Sequence, residues 1–272
     1  MTRLCQSAHT VHLDSGGDMK KWALVTGASS GIGESFTRLL AAEGFNLVLV
    51  ARDEVRLNER AAGLKEKYGA DSIVIVADLA TELGCSKVEE FIASNDVEVL
   101  INNAGFGINK PFTMSDLAKE EEVLKVLVRT PMRLMHVALP KMKERNSGVV
   151  INVSSVASYI AGGAYSASKS YLTVLSESLH TELSTTNIKI SALSPGFTRT
   201  EFHQRGRMKM AGLPQFMWLN SDVLVAKAWK DALGDKPVSI PGWQYKLLVG
   251  IISLMPRPLV RRVGMNLRVK QR

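Results

Sequence analysis

Residues 22–33 read WALVTGASSGIG, and this stretch decides the fold. Trp22 to Thr26 is apolar throughout instead of alternating, the pattern of a strand covered on both faces. Gly27, Gly31 and Gly33 follow, and a helical repeat of apolar positions begins at residue 31. Glycines here permit a tight turn and close backbone approach. The free N–H groups and positive end of the helix favour an anion such as a pyrophosphate. The spacing is T-G-x-x-x-G-x-G, not G-x-G-x-x-G, and many such turns carry glycine for geometry alone. Its position after the first strand is what gives it weight.

Outward from this turn, short β-branched runs alternate with longer helical patterns. Strands are predicted at 22–26, 46–51, 72–77, 98–102, 148–154, 188–193 and 237–240, and helices at 31–43, 53–68, 84–94, 115–143, 164–185 and 221–234. Uniformly apolar strands separated by helices predict an α/β fold: a Rossmann-like, doubly wound parallel sheet with right-handed crossovers. No repeat or low-complexity tract interrupts it.

The 272 residues are 46% hydrophobic and 22% charged, which excludes a disordered, collagenous or disulfide-scaffold chain. Cys5 and Cys85 form no C-x-x-C and no histidines cluster, so a structural zinc is not expected and a reducing, cytoplasmic setting is. The net charge of +8 lies wholly in the tail: residues 236–272 hold eight cations and no acid. That asymmetry points to an anionic surface near the C-terminus and away from nucleic acid. No run reaches the roughly 18 apolar residues of a membrane span. Residues 1–18 are expected to be a disordered or non-native extension, 19–241 the Rossmann-like domain, and 242–272 basic amphipathic helices.

The second strand ends at Ala51, and Arg52 follows. An arginine at this strand end can pair with the 2′-phosphate of NADP, where a carboxylate would hold the ribose hydroxyls of NAD. The competing reading is a solvent-facing arginine at a helix start. Tyr165 and Lys169 stand at i and i+4 of a predicted helix, on one face a turn apart. A phenol is a poor acid–base group at neutral pH, and a nearby ammonium lowers its pKa. Tyr165 could then exchange a proton with a carbonyl oxygen. Alone, Y-x-x-x-K is mostly surface or packing; after a strand ending in serine it gains force.

Thr26 to Gly33, Asp78-Leu79, Asn102-Asn103-Ala104-Gly105, Ser154-Ser155, Tyr165 to Lys169 and Pro195-Gly196 occur in order, each after a predicted strand or opening a helix. Together they resemble the short-chain dehydrogenase/reductase family over about Lys20 to Thr200. The resemblance implies an NADP(H)-dependent oxidoreductase of CH–OH and C=O groups. It implies Gly27, Ser30, Gly31 and Ile32 at the cofactor phosphates, Arg52 at the 2′-phosphate, and Asp78 and Leu79 near adenine. Asn103, Ala104 and Gly105 line the ribose path, Pro195 and Gly196 also bind the cofactor, and Thr198 meets the carboxamide. Tyr165 is the acid–base group, Lys169 lowers its pKa and binds ribose, and Ser155 polarises the substrate oxygen. Ser154 competes for that last role, since adjacent strand residues face opposite sides; the family pattern favours Ser155.

Two departures stand out. The Ser155–Tyr165 loop is short for the family, and Leu127 occupies the place of its relay asparagine. Reduced, not absent, turnover is expected. The rival reading is a non-catalytic NADP-binding redox sensor or membrane-docked scaffold.

On the substrate side, Phe202 to Leu219 mixes Phe202, Met208, Met210, Leu213, Phe216, Met217 and Trp218 with Arg205, Arg207 and Lys209. The resemblance implies that it belongs to a lid at about 197–220 of the 19–241 catalytic domain, and as such it suits a hydrophobic ketone or alcohol such as a 3-oxoacyl chain or a steroid-like molecule; helices covering the core are the plain alternative. The tail places Trp243 and Tyr245 beside an apolar run, Leu247 to Met255, followed by an Arg-rich segment. This suits peripheral docking on an anionic membrane or, equally, packing on the body or a sister subunit. A homo-oligomer through the 115–143 and 164–185 helices is implied by the resemblance only.

Overall fold

The computed structural model describes residues 21–108, 110–201 and 214–262. The expected extension at 1–18, Cys5, most of the expected lid and the tail beyond 262 lie outside the described residues. The elements in order are β1 (Trp22–Thr26), α1 (Gly31–Ala42), β2 (Asn46–Ala51), α2 (Glu54–Tyr68), β3 (Ser72–Val76), α3 (Glu82–Ser94) and β4 (Val97–Asn102). After them come α4 (Leu117–Leu124), α5 (Thr130–Glu144), β5 (Gly148–Val153), α6 (Ala164–Glu182), β6 (Ile188–Leu193), α7 (Ser221–Leu233), β7 (Val238–Ser239) and α8 (Trp243–Leu254).

The strands form one parallel sheet in the order β3-β2-β1-β4-β5-β6-β7. This is the doubly wound, Rossmann-like arrangement. Because β1 lies between β2 and β4, the connections leave it in opposite directions, and a crevice opens at the carboxyl ends of β1 and β4. Leu24, Val48 and Leu100 bury one face of the sheet under α3, α5 and α6, against Ile92, Leu134 and Leu172. Val25, Leu49 and Ile101 bury the other under α1, α2 and α7, against Phe36, Leu57 and Trp229.

Side-chain caps start several helices. Asp53, Thr81, Asp116 and Asn220 accept from first-turn amides of α2, α3, α4 and α7. α1 begins after Ser30 with no such cap, which leaves its first-turn N–H groups to another acceptor.

The continuous helix expected over 115–143 is divided. A π-helical turn at Lys125–Arg129 separates α4 from α5. Its Leu127 is fully buried, and just beyond it Thr130 Oγ1 donates to the Leu79 carbonyl at 2.9 Å. A π turn inserts one extra residue, re-aiming the side chains inside it.

Candidate active site

The glycine-rich turn is built for close approach. Gly27 and Gly31 have φ of +68° and +60°, conformations that side chains disfavour. A Cβ at Gly33 would fall 2.2 Å from the Gly27 carbonyl oxygen, so α1 can sit this near β1 only with glycine there. The Gly27 N–H donates to the Val50 carbonyl at 2.8 Å, fixing the turn to β2. Ser30, Gly31 and Ile32 therefore form an uncapped, positive-φ helix start at the crevice, and these residues fit a phosphate group.

Around it the expected cofactor residues divide into two kinds. Arg52 is exposed at the end of β2 and forms no ion pair among the described residues, so its guanidinium stands free. Gly105 is exposed, and Asp78 is half-buried with Oδ1 accepting from the Ala80 N–H at 3.0 Å. Leu79 is buried. The Asn103 side chain is committed elsewhere: Nδ2 donates to the carbonyls of Thr26 at 2.9 Å and Gly27 at 3.2 Å. Asn103 thus holds the turn in shape. Thr198 is buried and its hydroxyl donates to the Gly196 carbonyl at 3.0 Å, while the Pro195 carbonyl accepts from Val156 N–H.

The two serines at the end of β5 make different contacts. Ser154 is buried and its hydroxyl donates to the Lys169 carbonyl at 2.8 Å, with Thr173 Oγ1 2.6 Å away. It fastens α6 to the sheet. Ser155 points the other way, accepts from the Ala157 N–H at 3.1 Å and shares a hydrogen bond with the Tyr165 phenol. Lys169 lies one helical turn on, its Nζ 5.8 Å from the Tyr165 ring centroid.

The charges in this trio are set by burial. Lys169 is buried and its Nζ donates to the Val153 carbonyl at 2.6 Å. Loss of hydration pulls the ammonium down to about 8. Tyr165 is pushed up to about 12 by burial, against which the Ser155 hydrogen bond acts in the lowering direction. The expected lowering of the phenol by its lysine is therefore absent from the protein alone. The ammonium donates to the Val153 carbonyl instead, and desolvation is the largest influence on the phenol.

Leu127 closes this pocket from the side of the π turn. With Val123 and Val126 it forms a small apolar cluster against which Ala104, Phe106 and Tyr165 pack. A Cβ on Gly105 would lie 2.6 Å from Leu127 Cδ2 and 3.9 Å from Lys169 Nζ.

Several supporting residues escaped sequence reasoning. Thr26 Oγ1 donates to the Ile101 carbonyl and accepts the N–H groups of Asn103 and Ala104 at 2.9 and 3.0 Å, joining β1 to the end of β4. Its place in the T-G turn was the only signal. Asn152 bridges Asn102 and Ser176 in the core, two polar groups satisfying a third. Tyr245, at the start of the run for which docking and packing on the body were equally open, is fully buried. Burial of an aromatic on a helix cannot be told from exposure by spacing alone.

Residues 21–211 match the short chain dehydrogenase family, and the chain belongs to it. Its members are oxidoreductases that use NAD(P)(H). Over 183 residues it is 34% identical to a very-long-chain 3-oxoacyl-CoA reductase of Laccaria bicolor, covering 65% of this chain and 54% of that one. Over 186 residues it is 30% identical to the inactive hydroxysteroid dehydrogenase-like protein 1 of Homo sapiens, covering 66% and 56%. The matched region thus spans little more than half the length of these two curated relatives. Among solved structures, a short-chain dehydrogenase from Sphingobium yanoikuyae in complex with NADPH aligns with a TM-score of 0.78 and 30% identity, over 87% of this chain and 96% of that one. A 7β-hydroxysteroid dehydrogenase aligns with a TM-score of 0.81 and 25% identity, over 90% and 96%.

Proposed function

We propose that this protein is an NADP(H)-dependent oxidoreductase that reduces a carbonyl group on a hydrophobic substrate, or oxidises the matching alcohol. The observation that carries this reading is the hydrogen bond between Tyr165 and Ser155, with the Lys169 ammonium one helical turn away. A bound nicotinamide supplies or accepts the hydride.

The chain's own groups do the rest. The Ser155 hydroxyl and the Tyr165 phenol converge, so both can hydrogen-bond one substrate oxygen and stabilise the negative charge that develops there. Tyr165 gives that oxygen a proton in reduction and takes it in oxidation. Lys169 holds ribose hydroxyls and, once charged, favours the phenolate. The uncapped start of α1 receives the pyrophosphate, and Arg52 pairs with the 2′-phosphate. Asp78 and Leu79 border the adenine. The similarity to a 3-oxoacyl-CoA reductase and to a 7β-hydroxysteroid dehydrogenase supports a 3-oxoacyl or steroid-like ketone. Self-association is supported by Met132, Tyr171 and Val174, exposed on α5 and α6.

A second reading, a non-catalytic NADP-binding protein, is favoured by one observation: the buried, apolar Leu127 borders the same glycine, Gly105, as Lys169. A panel of 3-oxoacyl and steroid ketones, followed by loss of NADPH absorbance, separates the two. Turnover of any member supports the enzyme; tight NADPH binding with no turnover across the panel supports the binding protein.

A further inference from the structure

We propose that the outer face of α8 docks on the surface of an anionic lipid membrane. α8 turns Tyr245, Val249 and Ile252 into the protein, where all three are buried. Its opposite face sets Trp243, Leu247, Ile251 and Leu254 in line at helical spacing, 72%, 58%, 52% and 88% exposed. Four large apolar side chains in register leave an uncovered stripe of the kind that marks an interaction surface. Exposed Phe216 adjoins its start, because the Phe216 carbonyl accepts from Gln244 Nε2 at 2.9 Å.

Charge identifies the occupant. Residues 236–272 hold eight cations and no acid. Lys246, Arg257, Arg261 and Arg262 are exposed on or just beyond α8, and none forms an ion pair among the described residues. A second copy of this segment would set cation against cation. Anionic headgroups would meet each of them, at about fivefold in partitioning per cation. No helix among the described residues is long and apolar enough to cross a membrane, so α8 would lie in the interface plane.

The inner face of α8 links this surface to the active-site crevice. Tyr245 Oη accepts from the Phe197 N–H at 2.9 Å and donates to the Met217 carbonyl at 2.6 Å. Its ring leaves no room at Gly196, where a Cβ would come within 2.0 Å. One phenol thereby holds both ends of the segment that follows β6. Ile252 and Met255 also wall a cavity of about 290 Å³ whose far side is Ser158 and Tyr159, shortly after Ser155. A docked α8 would bring the ends of that segment to the lipid.

The full chain is tested by sedimentation with phosphatidylcholine vesicles, with and without phosphatidylserine, while Trp243 fluorescence is followed. Binding to the phosphatidylserine vesicles alone is expected, with a blue shift that Trp243→Phe removes and affinity falling as salt rises. Leu247→Asp with Ile251→Asp, and separately Lys246→Glu with Arg257→Glu, should each weaken binding tenfold or more at unchanged NADPH affinity. Leu247→Ser with Ile251→Ser serves in place of the first pair should that variant fail to fold. No binding, equal binding to neutral vesicles, or full binding by the stripe variants would overturn the proposal. So would a dimer that those variants convert to monomer, which would make the stripe a contact between copies.

Discussion

Leu127 and Lys169 both border Gly105: a Cβ on that glycine would stand 2.6 Å from the leucine Cδ2 and 3.9 Å from the lysine Nζ. A fully buried apolar side chain and a buried lysine thus border the same glycine. An apolar side chain gives a water no polar partner, so Leu127 itself offers no route for protons to the ammonium. Leu127→Asn should raise turnover severalfold by opening a polar path, while costing stability, about 1–3 kcal/mol if the new amide is poorly satisfied. Steady-state rates and thermal melts on both proteins check this. An unchanged or lower turnover in a folded variant would show that Leu127 does not limit proton resupply.

Arg52 stands exposed at the end of β2, with no ion pair among the described residues. Its contact with a 2′-phosphate would be charge-assisted, worth about 1.5–3 kcal/mol, or roughly ten- to hundredfold in affinity. Arg52→Ala should weaken NADPH by that factor and leave NADH within about twofold. Equal losses for both nucleotides would remove the 2′-phosphate from its role.

The two buried groups predict a proton count. Lys169 sits at about 8, below its ordinary value, so in the free protein it is largely neutral above that pH. Because this folded value is depressed, the lysine favours folding at high pH and that contribution is lost as pH falls from the usual lysine value through about 8. A cofactor carrying phosphates and ribose hydroxyls raises the value, so NADPH binding near pH 9 should take up protons, and near pH 6.5 almost none. Calorimetry in buffers of different ionisation heat reads this number directly. Lys169→Met should abolish the uptake, and persistence of the uptake in that variant would assign it to another group.

The fold and half of the site were legible because they rest on short-range rules. The apolar β1, the glycines at 27, 31 and 33 and the helix after them specify a covered strand and an anion-ready turn by composition alone. Tyr165 and Lys169 share a face because helix geometry dictates it. What stayed hidden depends on which side of an element is covered. Alternation says that Ser154 and Ser155 diverge but not that Thr173 and the Lys169 carbonyl wait for Ser154. The spacing of residues 117–144 fits one helix as well as two joined by a π turn. Tyr245 and Trp243 are two residues apart in the same tail, yet one is sealed under Gly196 and the other faces outward. The lysine's pull on the phenol was expected from proximity, whereas desolvation of both groups is a property of the assembled pocket.

The central claim is that the Tyr165 hydroxyl is the group that moves the proton, and replacing it by phenylalanine isolates that one atom. Tyr165→Phe keeps the ring that packs on the Leu127 cluster and removes only the oxygen shared with Ser155. Ketone-dependent oxidation of NADPH should fall by at least about a hundredfold in kcat, the scale of a lost general acid, with NADPH affinity within about twofold of the parent. A Tyr165→Phe protein that reduces its ketone at the parent's rate would contradict the account.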